Sequence, residues 1–205
     1  MAVKKRKAAR PKPKAKAKAK PKPTAKPKAA AKRAPKPPSQ EEMMALWQKA
    51  MTPSANHARL TPMVGTWNAK TTFVMEPGAP PQVSNGTSVH RLVLGGRYLE
   101  QHYRGTSMGM AFEGIGFTGY DNVRQCYVGT WMDSFGTGMM TSVGVGNPTD
   151  ERVDSVAEAT DPTGKKVVFD TIFRIQNHEH HSFEMWTKGP DGKKYRVMLI
   201  EYERG

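Results

Sequence analysis

The residues able to do chemistry in this chain of 205 are few: six histidines, one cysteine and a scatter of carboxylates. His178, His180 and His181 crowd into Asn177-His-Glu-His-His181. Alternate residues of a strand share a face, so His178 and His180 could address one metal ion. The segment also reads as an exposed hairpin tip with Glu179 as its only adjacent carboxylate, and a solvated turn is the better reading. No metal site is expected. Haem needs a single axial histidine, and His90, His102 and His181 each qualify. Nothing in the sequence selects one, so no cofactor is assigned.

Nucleophiles fare no better. Cys126 lies mid-strand in Arg124-Gln-Cys-Tyr-Val128, where a small buried hydrophobe is the default. Asp133-Ser134 sits in a strand–turn context without the strained strand-to-helix elbow of a serine hydrolase. The Gly-rich stretches precede strands, not helices, and so do not cradle phosphate. Asp121 and Asp133 fall at opposite ends of one hairpin, too far apart for a paired acid–base site. Asp121 suits turn capping. Asp133, in Trp131-Met-Asp133, can serve a structural hydrogen bond, the simpler reading, or a ligand at a barrel mouth. No catalytic residue is assigned.

The elements that must position these groups are legible from periodicity. In residues 40–51, Met43, Leu46, Trp47 and Ala50 fall at i, i+3, i+4, i+7, one helical face. Glu41 and Glu42 lie early and Lys49 late, as the helix dipole favours, and Ser39 suits the N-cap. A second short turn is read over 53–60, with Pro62 ending it. From Met63 the period becomes two, and Met63, Trp67, Ala69, Phe73 and Met75 share a strand face. Turn signals then recur at short intervals and delimit about ten strands: 63–75, 84–94, 97–106, 111–120, 124–133, 137–145, 151–160, 165–176, 181–188 and 193–204. Consecutive strands with short loops imply an antiparallel meander, and ten of them leave two long edges unless the sheet closes. An all-β, up-and-down barrel with a short lid-like N-terminal helix is therefore expected. Glycines at 114, 116, 119, 129, 138, 144 and 146 suit bends and close approach in a closed sheet.

Charge is divided unevenly. Residues 1–38 hold 13 Lys and 3 Arg and no acid, while residues 39–205 carry a net −2. Half of the 16 prolines lie in the first 38 residues. Such a segment has too little apolar surface to offset its ordering entropy. It reads as a disordered arm (1–38) ahead of a barrel domain (39–205). Its Lys/Ala/Pro composition resembles linker-histone tails, which implies non-specific contact with nucleic acid; a solubilising arm is the bland alternative. No stretch approaches the ~20 apolar residues of a membrane-spanning helix, no secretory h-region is present, and the lone cysteine allows no intrachain disulfide. A cytoplasmic protein is expected.

Two resemblances sharpen this. A short helix followed by Gly65-Thr-Trp67 resembles the calycin (lipocalin-like) pattern, in which an Arg of the last strand packs over the indole; Arg204 is the first candidate partner and Arg196 the second. More specifically, residues 43–204 resemble the bacterial domain-of-unknown-function 1579 family. The resemblance rests on His57-Ala-Arg-Leu60, Val64-Gly-Thr-Trp67, Leu94-Gly-Gly-Arg-Tyr-Leu99, Phe112-Glu-Gly-Ile-Gly-Phe-Thr-Gly-Tyr-Asp-Asn122, Trp131-Met-Asp-Ser134 and Gly136-Thr-Gly138. It implies a calycin-like barrel and supplies no activity.

The function expected is non-catalytic binding of a small apolar or amphipathic molecule in a barrel pocket of about 300–1,000 Å³. Phe73, Tyr120, Trp131, Asp133, Trp186 and Tyr202 are its wall candidates, with Trp67 and Arg204 structural. A nucleic-acid-associated protein acting through the arm is the alternative, and a haem-binding barrel a further one.

Overall fold

The computed structural model describes residues 37–205. The expectations for residues 1–36, a disordered arm that contacts nucleic acid, lie outside the described residues.

Helix α1 spans Gln40–Met51 and starts on a capping box: Ser39 Oγ accepts from the Glu42 amide, and the Glu42 carboxylate accepts from the Ser39 amide. These bonds satisfy two of the donors that a helix N-terminus leaves unpaired and hold the Glu42 carboxyl below its ordinary range. The helix buries no residue. It is therefore not the lid expected of it. That place is taken by the next segment, helix α2 (Ala55–Ala58) and a 3₁₀ turn (Thr61–Met63), whose His57, Leu60 and Met63 are buried. Met63 thus belongs to the plug and not to the first strand, because Pro62 suits the start of a 3₁₀ turn and Gly65 (φ 139°) turns the chain into the sheet.

Ten strands follow: β1 (Gly65–Phe73), β2 (Gln82–Val93), β3 (Tyr98–Ser107), β4 (Met110–Asp121), β5 (Cys126–Asp133), β6 (Met140–Val145), β7 (Arg152–Thr160), β8 (Lys166–Ile175), β9 (His180–Lys188) and β10 (Lys194–Arg204). Every neighbouring pair is antiparallel, and β1 pairs with β10, so the sheet closes into an up-and-down barrel with no free edge. Met75 lies past the end of β1 and is exposed.

Register fixes which side chains point in. On β1 and β10, Trp67, Ala69, Thr71 and Phe73 sit opposite Arg204, Tyr202, Ile200 and Met198. The partners of Tyr202 and Ile200 on β9 are His181 and Phe183. The core has two clusters: Leu60, Met63, Leu99, Tyr127 and Val153 under the plug, and Trp67, Ala69, Tyr103 and Tyr202 above it. The plug seals one end of the barrel. At the other end the inward side chains stay half-buried from the rim at Phe73 and Met198 down to Thr71, Ile200 and Phe183. On β1 and β10 full burial begins one level deeper, at Ala69 and Tyr202, while on β9 the inward Met185, opposite Met198, is already buried. This less buried end of the interior is termed the cup. The outer surface carries ion pairs across strands, such as Arg104 with Glu113 and Lys194 with Asp170.

Candidate binding site

The floor of the cup is polar beneath an aromatic layer. Trp67 is 0% exposed; its Nε1 donates to the Met63 carbonyl at 2.7 Å, and the Arg204 guanidinium lies 4.3 Å above its ring. Arg204 also donates from Nη1 to the Val64 carbonyl and from Nη2 to the Pro62 carbonyl, both at 3.1 Å, and from Nε to the His178 carbonyl at 2.6 Å. One guanidinium thus ties the plug, the first strand and the β8–β9 turn together. The Gly of Gly65-Thr-Trp67 is needed here, since a Cβ at residue 65 would stand 2.5 Å from Arg204 Nη1.

Beside Trp67 lie two buried histidines. The His181 ring stacks on Tyr202 at 4.2 Å, meets Trp67 edge-on at 4.2 Å and lies 5.3 Å from the His90 ring. His90 Nε2 and Ser88 Oγ are 2.9 Å apart, and Gln101 Nε2 donates to Ser88 Oγ at 3.1 Å and to the Tyr202 hydroxyl at 2.9 Å. Both ring nitrogens of His181, and Nδ1 of His90, are buried without a hydrogen-bond partner among the described residues. Burial pushes the pKa of His90 down to about 4 and that of His181 to about 3, the latter helped by its neighbour His90 and by Arg204. Both are neutral at pH 7. Burial likewise raises the Tyr202 phenol above its ordinary value.

Above this floor the cup is lopsided. Phe183 and Ile200 on β9 and β10 and, across the barrel, Phe112 and Trp131 on β4 and β5 are half-buried and pack on the Trp67–Tyr202 cluster. The stretch of sheet between them, β5–β7, carries small inward residues. Ser142 faces Gly129, Gly144 faces Ser155, and Ala157 faces Ser142 across the strand pairs.

The sequence candidates distribute unevenly over this geometry. Tyr202 forms the floor, Trp131 the aromatic wall and Phe73 the rim. Asp133 stands at the rim beside Trp131, where its carboxylate accepts from Trp131 Nε1 at 3.0 Å and from the Phe135 amide at 3.0 Å. Tyr120 is set apart, under the plug, edge-on to His57 and Tyr127. Trp186 is outside altogether. It alternates with inward Met185, bonds Glu184 through Nε1 at 2.9 Å and lies 5.9 Å from the Arg196 guanidinium on the outer face. That face assignment also removes Arg196 as a partner for Trp67.

Of the haem candidates, His102 pairs with Glu100 at 3.1 Å on the outer face. His90 and His181 are hemmed in by the rings of Trp67, Phe173 and Tyr202, and a macrocycle does not fit between them without displacing those rings. His178 and His180 are exposed, as a turn implies.

Sequence reasoning missed Ser88, Gln101 and the pairing of His90 with His181. The alternation Ser88/His90 and Leu99/Gln101/Tyr103 carried the signal, but it needed the strand register to be seen. The fold's two best-formed recesses are open clefts at the plugged end, and neither lies in the barrel interior where the pocket was expected. One of about 840 Å³ is lined by Tyr120, Gln125, Asn147, Asp150, Arg152 and Arg174 among others, and one of about 290 Å³ lies between Met51, His57, Arg97, Tyr98 and Asn122.

Fold and site define a class: a closed ten-stranded antiparallel barrel, plugged at one end, with a buried polar cluster inside. Residues 52–204 match the family described as "Protein of unknown function (DUF1579)", and the chain belongs to that family. Among solved structures it is similar to Rv2717c from M. tuberculosis, with TM-score 0.54 and 18% identity over 75% of this chain and 98% of that one. A redesigned beta barrel, b11L5F_LGL, matches at TM-score 0.38 and 15% identity over 74% and 96% of the two chains. No curated protein matches the chain. Among the described residues no helix is long and apolar enough to cross a membrane.

Proposed function

We propose that this protein is a non-catalytic binding protein that takes a small amphipathic molecule into the cup. The observation that supports it is the exposure of Ile200 and Phe183. They point into the barrel in mid-strand, yet both are only partly buried while their neighbours Tyr202 and His181 are fully buried. Inward apolar surface left to water in a closed barrel is the ordinary character of a ligand pocket. The apolar part of a ligand lies between the Phe183–Ile200 wall and the small residues of β5–β7. Its polar end meets Gln101 and Tyr202. Ser88 and His90 lie within hydrogen-bond distance, 2.9 Å, but both are fully buried and His90 Nδ1 has no group among the described residues to orient it, so binding is the reading and not turnover.

Native mass spectrometry of freshly purified protein tests this, with an apolar fluorescent dye as the probe in solution. The wild type is expected to carry an adduct or to bind the dye, and Ile200→Trp, which fills the cup, to do neither while remaining folded by circular dichroism. Equal dye binding by Ile200→Trp, or none by the wild type together with no adduct, would reject the cup as a binding site.

A further inference from the structure

Helix α1 shows an apolar face that no described residue covers. At 100° per residue, Leu46, Ala50, Met43, Trp47, Met51 and Met44 fall within an arc of roughly 160°. Their exposure is high for such side chains: Met43 41%, Met44 65%, Leu46 56%, Trp47 59% and Met51 52%. The helix is nevertheless held in place. Asn122 Nδ2 donates to the carbonyls of Lys49, Ala50 and Thr52, the last at 2.7 Å, and Arg97 Nη2 donates to the Met51 carbonyl at 2.6 Å. Immediately ahead of it in the sequence, residues 1–38 carry 13 Lys and 3 Arg and no acid.

We propose that α1 and the cationic segment before it dock the protein on the surface of an anionic phospholipid bilayer. The lysines supply attraction to lipid phosphates across a Debye length. The helix supplies apolar side chains that insert at the headgroup boundary, with Trp47 suited to that depth. Stable attachment takes two such signals, and here they are contiguous. Charge complementarity decides among occupants. Nucleic acid matches the charge but offers no apolar phase for Leu46 and Trp47. An apolar protein groove matches the helix but leaves the positive charges idle. A bilayer meets both. The polar arc of Glu41, Glu42, Gln48 and Lys49 stays in water.

The test is co-sedimentation of the full chain with vesicles of phosphatidylcholine alone and with phosphatidylglycerol added, beside anisotropy on a labelled DNA duplex, at about 150 mM salt. Leu46→Gln/Trp47→Gln is the variant. Both positions are exposed, so circular dichroism should match the wild type. Binding is expected on the anionic vesicles only, weakening as salt rises, and falling about tenfold or more in the variant. Three results overturn the proposal: no vesicle binding, vesicle binding untouched by the two substitutions, or DNA binding without vesicle binding.

Discussion

Arg204 and Trp67 join the plug, the first strand and the β8–β9 turn. Removing the indole leaves a cavity where three elements meet, so Trp67→Ala should cost ~3–5 kcal/mol in denaturant unfolding. Arg204→Lys keeps the charge but loses the fork that reaches the Val64, Pro62 and His178 carbonyls, and should destabilise by about 1–3 kcal/mol. The contact was legible in the sequence because its two ends are marked, a Gly-x-Trp at a strand start and an Arg in the last strand. His181 was not legible in the same way. It follows two solvent-facing histidines in one turn, and only the pairing of His181 with Tyr202 separates it from them. Its chemistry is measurable through pH. Unfolded histidine titrates near 6.5, while burial holds folded His90 at about 4 and His181 at about 3. Between those values the unfolded chain binds protons that the folded chain refuses. Stability is therefore full above pH ~6.5 and falls as pH drops, by up to about 1.4 kcal/mol per pH unit for each histidine. His181→Phe should remove the His181 share of the slope in urea titrations run between pH 7.5 and 4.5, leaving those of His90 and of His57, whose pKa burial also lowers. It should leave stability near neutral pH unchanged or higher, because an apolar ring replaces a buried group with no partner. An unchanged slope would mean that His181 is already protonated or solvated in the fold.

At the scale of elements, strand positions were readable to within three residues because period two and turn chemistry agreed along the whole body. What periodicity does not convey is why the strands carry so many glycines. The answer is close approach: Trp131 lies flat across β4, and its ring occupies the space a side chain at Gly114 or Gly116 would need. Gly114→Val should therefore destabilise by at least ~1–3 kcal/mol, the cost of overpacking. Gly138→Ala, with nothing within 4 Å, should be close to neutral. Combining Gly114→Ala with Trp131→Ala should restore part of what Gly114→Ala loses, which a double-mutant cycle of unfolding free energies reads directly. Strictly additive losses would show that the two residues do not compete for one space. The roles of the two N-terminal segments were also not legible. Residues 40–51 have the stronger amphipathic pattern, yet residues 55–63 enter the barrel. Amphipathicity shows that a helix has an apolar face; it does not show what covers it.

Over the whole molecule, closure depends on β1 meeting β10 across most of the chain. Contacts of that separation slow folding toward the millisecond-to-second range typical of non-local β topologies. Closure also makes the barrel cooperative. Thr71→Pro, which removes a ladder donor from a strand paired on both sides, should weaken every strand at once, and not fray one seam. Far-ultraviolet circular dichroism and tryptophan fluorescence should then still melt together, at a lower temperature. Separate transitions would show that the seam opens independently. Finally, the plug occupies one end of the barrel, and α1 is fastened by Arg97 and Asn122 at that same end. The described barrel unit consequently has two unlike ends, a plugged foot that bears α1 and a less buried mouth. Standing on a bilayer by its helix, it would turn its mouth toward the aqueous phase. Cargo would then be exchanged with carriers or enzymes in solution and not drawn straight from the lipid beneath, so loading should depend on the free concentration of the ligand in water.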